Sequence, residues 1–266
     1  MNMNMNPNSE LVQSAVNVPN LVQVPDALIS QAREFQQAMM MYTCAIREVK
    51  TKLEVLNDEL SIKNQRNPIE MIKSRVKKPI SIVEKLQRRN LPVSLESMMN
   101  KLDDVAGIRV ICSFVDDIYA VANMLVSQDD ITVIAIKDYI KNPKPNGYRS
   151  YHLIIEIPVF FSEEKKNLRV EVQIRTIAMD FWASLEHKLY YKKGKVVPRQ
   201  VLIGLNQCAD LAALLDEKMQ DIRNKMKPYL SEEERAEQAA NLAKGIEMPM
   251  LQSAGEAQQP VPEETA

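Results

Sequence analysis

The chain has 266 residues, 45% of them hydrophobic and 26% charged, a composition typical of a globular protein with a full core. No apolar run reaches the roughly 18 residues that a membrane span needs, and the N-terminus lacks the basic and apolar regions of a signal peptide. The three scattered cysteines support neither a disulfide framework nor a metal knuckle. These features predict a cytoplasmic protein with no membrane partner.

The net charge of −1 conceals an asymmetry between the body of the chain and its C-terminal end. Residues 231–266 carry eight acids and two bases, a net charge of −6, so the preceding residues carry about +5. We expect residues 228–266 to form an acidic, disordered tail and residues 1–23 to form a flexible arm. The basic body, residues 24–227, favours an anionic ligand.

Hydrophobic periodicity predicts the elements between the two ends. The first helix, 26–64, carries an apolar stripe from Ile46 to Leu60, and the last helix carries another from Leu205 to Met226. Alternating segments predict strands, with helices before, between and after them. In chain order the predicted elements after the first helix are a strand near 69–78, helices 79–89 and 94–102, a strand at 106–114, a helix at 115–127, strands at 131–138, 150–159 and 168–176, a helix at 177–192 and a helix from 198 to about 227.

This order predicts one α+β domain with a mixed sheet, flanked by helices at both ends of the chain. The most basic segment is 73–89, which holds seven bases and a single acid. In its strand Lys73, Arg75 and Lys77 share one face, and in its helix Ser81 and Lys85 lie one turn apart. A cluster of this kind suits a phosphate clamp.

The loop within residues 137–152, KDYIKNPKPNGYRSYH, joins two strands and contains two prolines and one glycine, which favour a fixed turn. Its cations, Tyr148 and His152 could hold a phosphorylated ligand with a ring, and the alternative is a solvated hairpin with ordinary surface lysines. Tyr151 alternates to the other face from His152, so we expect it in the core, as we do Trp182.

Several chemistries are excluded or disfavoured. The chain has neither the GxxxxGK[ST] nor the GxGxxG pattern, and its two histidines cannot build a multi-histidine metal site. Asp104 at the start of one strand and Glu171 on the polar face of another could converge over the sheet. Two carboxylates together with substrate phosphates suit Mg²⁺, but a helix-end acid and a solvated strand face explain each carboxylate separately.

Four segments in this order resemble the synthetase domain of RelA/SpoT-type alarmone synthetases: KSRVKKPISIVEKL, DDVAGIRVIC, KDYIKNPKPNGYRSYH and EVQIRTIAMDFWASLEHKLYYK. The similarity covers about residues 45–195. The chain shows neither the HD-type hydrolase domain nor the regulatory domains of the longer members. It is therefore most similar to the small, single-domain (RelQ-like) synthetases, and no hydrolase activity is expected.

The resemblance implies Mg²⁺-dependent transfer of pyrophosphate from ATP to the 3′-hydroxyl of GTP or GDP, which gives pppGpp or ppGpp and AMP. The metal carboxylates fall on Asp104 and Glu171, and Glu171 is also the candidate base. The residues implied for the ATP phosphates are Arg75, Lys77, Ser81, Lys85 and Arg109. The residues implied for GTP are Tyr148, which would stack on guanine, Lys144, His152, Gln173 and, more weakly, Lys137.

Some small synthetases are tetramers that bind alarmone between subunits. The two apolar stripes are consistent with a homotetramer, and core packing in a monomer explains them equally well. Two other functions stay open at this stage. One is a nucleotide- or single-stranded-RNA-binding module without catalysis, and the other is an adenylyl-transfer enzyme that would release pyrophosphate instead of AMP.

Overall fold

The structure is a computed structural model, and it describes residues 25–64, 66–190 and 198–247. Its elements follow the predicted order. They are α1 (Asp26–Asn64), β1 (Ile69–Val76), α2 (Pro79–Arg88), α3 (Leu95–Lys101), β2 (Ala106–Cys112), α4 (Val115–Val126), β3 (Thr132–Asp138), β4 (Tyr151–Phe160), β5 (Lys165–Thr176), α5 (Ile177–Tyr190) and α6 (Arg199–Glu247). None of the helices in this described part is long and apolar enough to cross a membrane.

The five strands form one mixed sheet in the order β1-β2-β5-β4-β3. β2 and β5 pair in parallel, and the other three pairings are antiparallel. The expected α+β class with a mixed sheet is therefore confirmed. The parallel pair places the start of β2 beside the middle of β5, because Gly107 pairs with Glu171.

The main core lies between one face of the sheet and helices α1 and α4. Alternate residues of β5, Val170, Val172 and Ile174, are fully buried on this face. The α1 stripe packs against them, with Val49 and Leu53 also fully buried. The stripe of the first helix therefore belongs to the core, and the residues of β5 between the buried ones are left for the opposite face.

Helix α6 is longer than predicted. It continues through Pro228 to Glu247, so the predicted end at about Lys227 is wrong, and residues 228–247 are helical where a disordered tail was expected. Its apolar stripe is largely exposed, with Leu215 54% and Ile222 54% accessible. Residues 1–23 of the expected arm and 248–266 of the expected tail lie outside the described residues, and the domain boundaries stay a prediction.

Two of the contacts made by α6 join it to α5 and to α4. Trp182 is buried in a small second core with Ala183 and Ala209, and its indole N–H donates to the carbonyl of Leu205 at 2.8 Å. Trp182 therefore packs in a core as expected.

The second contact is an ion-pair cluster centred on Asp117 of α4. The carboxylate of Asp117 accepts hydrogen bonds from Arg66 at 2.6 and 2.8 Å and from Arg223 of α6 at 3.2 Å. Both guanidinium groups also lie over the ring of Phe114. Since Asp117 is only 4% exposed, this cluster is an internal anchor for the helix.

Candidate active site

A row of polar side chains crosses the face of the sheet opposite α1. Each strand contributes one residue to the row, and that residue is directly paired with the row's residue on the neighbouring strand. In sheet order the row is Lys73, Arg109, Gln173, His152 and Lys137. Because directly paired residues project to the same side, strand pairing alone brings together four side chains from the predicted site and Lys73.

Asp104 lies immediately before β2, at one end of this face. Its Oδ2 contacts the ammonium groups of Lys77 at 2.7 Å and Lys85 at 2.6 Å. Burial alone would raise the pKa of Asp104, but the two lysines outweigh it and lower the pKa below its ordinary value. Its Oδ1 is buried and has no hydrogen-bond partner. Asp104 is thus an anion with one oxygen still available to a ligand.

Glu171 projects from β5 onto the same face. Its Oε2 accepts a hydrogen bond from Gln173 at 2.8 Å, and its Oε1 lies 3.4 Å from His152 Nδ1. Burial and the charge of Asp104 raise the pKa of Glu171, whereas His152 and Gln173 lower it, and the net shift is downward. Glu171 is therefore held ionised, within electrostatic reach of Asp104.

The two carboxylates line a common cavity of about 200 Å³. Gly107 forms part of the lining between them, where its missing side chain leaves room beside Glu171. The other lining residues are Lys73, Ser74, Arg75, Ile108, Arg109 and Gln173. Two predicted clamp residues, Arg75 and Arg109, are therefore in the cavity wall. Two more, Lys77 and Lys85, pair with Asp104 at the edge of the cavity. Ser81 is half-buried one turn before Lys85 and is not among the lining residues.

The loop between β3 and β4 has a defined conformation that hydrogen bonds maintain. Lys144 and Tyr148 are joined by a backbone hydrogen bond of 3.1 Å, and Asn146 Oδ1 accepts from the Tyr148 N–H at 3.2 Å. Gly147 has a φ of 83°, the left-handed region that favours glycine. The loop also contacts α6, because a Cβ at Gly147 would lie 2.4 Å from the Cβ of Ala209.

Tyr148 lies in an aromatic and cationic cluster at the end of this loop. The ring of Tyr139 contacts Tyr148 and His152 edge-on, and the Lys144 ammonium lies over both tyrosine rings, 4.5 Å from the Tyr139 centroid and 4.9 Å from the Tyr148 centroid. The Tyr148 hydroxyl is 2.8 Å from His152 Nε2. Burial lowers the pKa of His152, so its imidazole is neutral at pH 7.

Glu171 gives a direction to this hydrogen-bond chain. Its carboxylate is ionised and can only accept, so the one proton of the neutral imidazole is on Nδ1, which faces Glu171. His152 Nε2 then accepts the proton of the Tyr148 hydroxyl. The Tyr148 oxygen also accepts a hydrogen bond from Arg175 Nη2 at 2.5 Å.

Sequence reasoning missed two residues of this site, Arg175 and Asp180. Arg175 is only 4% exposed and bonds both Tyr148 and the Gln173 carbonyl, at 2.9 Å. Asp180, on α5, accepts hydrogen bonds from Arg109 and Arg175. Arg175 could have been found, because strand alternation places it on the same face as Gln173 and Glu171. No pattern in the sequence pointed to Asp180.

Two other predictions concern the edges of the site. Tyr151 packs against the main core and meets Tyr119 edge-on, with ring centroids 5.4 Å apart, so its expected core position is confirmed. Lys137 is exposed at the outer end of the polar row.

The fold and this cavity define a synthetase domain of the RelA/SpoT type, and comparison with known proteins agrees. A family model described as a region found in RelA / SpoT proteins matches residues 74–196. The GTP pyrophosphokinase YwaC of Bacillus subtilis is 44% identical over 201 residues, which cover 76% of this chain and 96% of the relative.

Solved structures give the same result. Small alarmone synthetase 1 of Bacillus subtilis, in a crystal structure bound to its product pppGpp, has a TM-score of 0.68 and 38% identity, and the match covers 73% of this chain and 98% of that one. Small alarmone synthetase 2 of the same organism has a TM-score of 0.66 and 45% identity, with coverages of 72% and 99%. The chain belongs to the RelA/SpoT family, and within it to the small alarmone synthetases. The expectation from the four sequence motifs is thereby confirmed.

Proposed function

We propose that this chain is a GTP pyrophosphokinase that transfers the pyrophosphoryl group of ATP to the 3′-hydroxyl of GTP or GDP. In this reaction the 3′-oxygen bonds to the β-phosphorus of ATP, the bond from that phosphorus to the α,β-bridging oxygen breaks, and AMP leaves. The products are pppGpp or ppGpp. The carrying observation is the cavity lined by both Asp104 and Glu171, with cations in its wall. His152 lies beside Glu171 and connects this cavity to Tyr148 of the aromatic loop.

A divalent cation fits this cavity. The buried Oδ1 of Asp104 has no partner, and Glu171 provides a second oxygen donor nearby. Among the described residues no group of three or more His, Cys, Asp or Glu side chains could hold a metal. Two carboxylates with phosphate and water as the remaining ligands are the usual environment of Mg²⁺. When bound, Mg²⁺ would neutralise charge on the phosphates of ATP.

The donor nucleotide is assigned to the basic side of the cavity. Arg75 and Arg109 line it, and the ammonium groups of Lys77 and Lys85 lie at the edge of Asp104, where they can meet phosphate oxygens. Phosphoryl-type transfer depends mainly on positioning and charge neutralisation, which these cations supply. Ser81 is assigned to the same phosphates by family resemblance.

The acceptor nucleotide is assigned to the loop side. The ring of Tyr148 offers a platform for guanine, and stacking of a base on an aromatic ring is worth about 1–3 kcal/mol. Lys144 and His152 are positioned for its phosphates or ribose, and Gln173 for its base or sugar, while Lys137 extends the cationic row outward.

Glu171 is the proposed base for the 3′-hydroxyl proton. It is ionised, its Oε1 faces His152 on the acceptor side, and its other neighbour, Gln173, is a neutral amide. A carboxylate between the two nucleotide half-sites can take the proton while the hydroxyl oxygen attacks phosphorus.

Product analysis with ATP, GTP and Mg²⁺ tests this function. We expect release of AMP together with pppGpp, or ppGpp when GDP replaces GTP, and loss of at least about a hundredfold in turnover for Glu171→Gln and Asp104→Asn. Melting curves of the variants provide the folding control. Release of pyrophosphate instead of AMP would indicate adenylyl transfer. Absence of turnover with salt-sensitive binding of single-stranded RNA would indicate the binding module.

We also propose that the chain assembles as a homotetramer in the cytoplasm. The support is an apolar groove between α5 and α6, where Phe181 is 65% exposed beside Leu211, Leu215 and Met219. Contiguous exposed apolar side chains are a common feature of interaction sites, and a second copy of α5 and α6 would cover the groove.

Light scattering on wild type and on Leu215→Glu tests the assembly. The variant is expected to give a smaller particle, and an unchanged mass would refute this interface. Binding of (p)ppGpp or single-stranded RNA as an allosteric ligand is proposed from family resemblance and can be measured on the same two proteins.

A further inference from the structure

Asp180 joins two arginines from opposite sides of the site. Its Oδ1 accepts hydrogen bonds from Arg109 Nη1 and from Arg175 Nη1, each at 3.2 Å. The side chains of Asp180 and Arg175 are 15% and 4% exposed, so their contact is shielded from solvent, whereas Arg109 is 33% exposed and its contact is partly shielded. One carboxylate oxygen is therefore shared between two guanidinium groups.

The two arginines serve different halves of the site. Arg109 lines the cavity assigned to ATP. Arg175 contacts the hydroxyl of Tyr148 and the side-chain carbonyl of Gln173, both assigned to the acceptor nucleotide. Asp180 is thus the link between a donor-side cation and an acceptor-side cation.

The two guanidinium groups repel each other. Burial and the nearby charge of Arg175 both lower the pKa of Arg109, and Asp180 opposes this effect. Without the shared carboxylate, two like charges would face each other in a partly desolvated site, and we expect their side chains to separate. Arg109 and Tyr148 would then both lose their positions.

We propose that Asp180 is a positioning residue that couples the two nucleotide half-sites. This proposal rests on the proposed function and concerns how the binding of one nucleotide affects the binding of the other. A nucleotide that fixes either arginine also fixes Asp180 and, through it, the other arginine. The second nucleotide then binds to groups that are already ordered, so each substrate favours the binding of the other.

Initial-rate kinetics and equilibrium binding of Asp180→Asn test the coupling. We expect the KM values for ATP and for GTP to rise together, each by roughly 5- to 10-fold, as for the loss of one charge-assisted hydrogen bond. Binding of GDP is measured with and without an ATP analogue that has a methylene group in place of the α,β-bridging oxygen. The analogue should tighten GDP binding to wild type and have little effect on Asp180→Asn. Asp180→Glu, which keeps the charge, should recover part of the coupling.

Asp117→Asn is a matched control, because Asp117 also lies between two arginines, Arg66 and Arg223, but outside the site. Assayed well below its melting temperature, where α6 stays docked, this variant should leave both KM values unchanged, although its melting temperature is lower. If Asp180→Asn does not fold, Arg175→Lys tests the link from the other end, since this acceptor-side change should raise the KM for ATP.

The coupling proposal is overturned if wild type is active but Asp180→Asn retains both KM values, or if only one KM rises. It is also overturned if the analogue tightens GDP binding equally in both proteins, or if Arg175→Lys leaves the KM for ATP unchanged. Failure of the proposed function would be distinguishable, because wild type itself would then release no AMP.

Discussion

Replacing Gly147 with alanine should damage the acceptor half of the site through a contact with helix α6. Gly147 has a φ of 83°, and an added Cβ would lie 2.4 Å from the Cβ of Ala209. Carbon atoms in contact are normally about 3.5–4.0 Å apart, so the loop or the helix must move by more than about 1 Å. Because Tyr148 follows Gly147 directly, we expect the ring of Tyr148 to move with it.

The cost of this substitution has two parts. A non-glycine residue in the left-handed region costs about 1–2 kcal/mol, and overpacking typically costs about 1–3 kcal/mol. The free energy of unfolding should therefore fall by about 2–5 kcal/mol. In a domain of this size that corresponds to a decrease in melting temperature of at least about 4 °C.

The assay combines thermal unfolding with the KM values for GTP and ATP. Gly147→Ala should raise the KM for GTP more than the KM for ATP. Gly204→Ala is the matched control, since a Cβ there would meet nothing within 4 Å, and alanine should stabilise α6 by about 0.5–1 kcal/mol. A double-mutant cycle with Ala209→Gly should give a favourable interaction energy of about 1–3 kcal/mol. An unchanged melting temperature and GTP KM in Gly147→Ala, or a zero interaction energy, would refute the reasoning.

Substitutions at three further positions, Tyr148, Tyr42 and Trp182, test the stacking ring, the main core and the second core. Tyr148→Phe keeps the ring but loses the hydroxyl contacts, so the KM for GTP should rise about 5-fold. Tyr148→Ala should raise this KM further, because stacking on the ring is lost. Equal KM values for GTP in wild type and both variants would contradict the platform role. Burial raises the pKa of Tyr42 to about 12 from 10.0, so stability that is present below pH 10 is lost as the pH rises towards 12. Between pH 10 and pH 12 the free energy of unfolding, measured with urea, should fall by about 2–3 kcal/mol less in Tyr42→Phe than in wild type. The same pH dependence of the unfolding free energy in both proteins would disprove this. Trp182→Phe removes the 2.8 Å hydrogen bond to the Leu205 carbonyl and should cost about 1–3 kcal/mol in calorimetry, whereas a loss below about 0.5 kcal/mol would show that the bond contributes little.

The elements of the sheet could be predicted from sequence because alternation is a local property. The run from Arg169 to Arg175 showed in advance which residues would face the core and which would face the site. The row from Lys73 to Lys137 could not be predicted in this way. It depends on β2 pairing in parallel with β5, and no local pattern specifies which strands become neighbours.

The limits of sequence reasoning were clearest for the helices. Periodicity gave the same kind of stripe in α1 and α6, yet the first is buried against the sheet and the second is exposed. The last helix was expected to end at about residue 227, but α6 continues through Pro228 to Glu247, although a proline removes one hydrogen bond from a helix interior. Asp180 was missed because its role depends on Arg109 and Arg175, which reach it from two different strands.

The packing of Tyr148 gives the two half-sites unequal resistance to local unfolding. The donor side is built on the sheet and on α2, which belong to the main core, whereas Tyr148 rests on the second core of Trp182, Ala183 and Ala209. Partial undocking of α6 would therefore remove the guanine platform while the ATP cavity stays folded, since small satellite cores open at lower free energy than the main core. Hydrogen exchange should then show that amides around Tyr148 and α6 exchange at a lower free energy than global unfolding, while amides of the donor pocket stay protected.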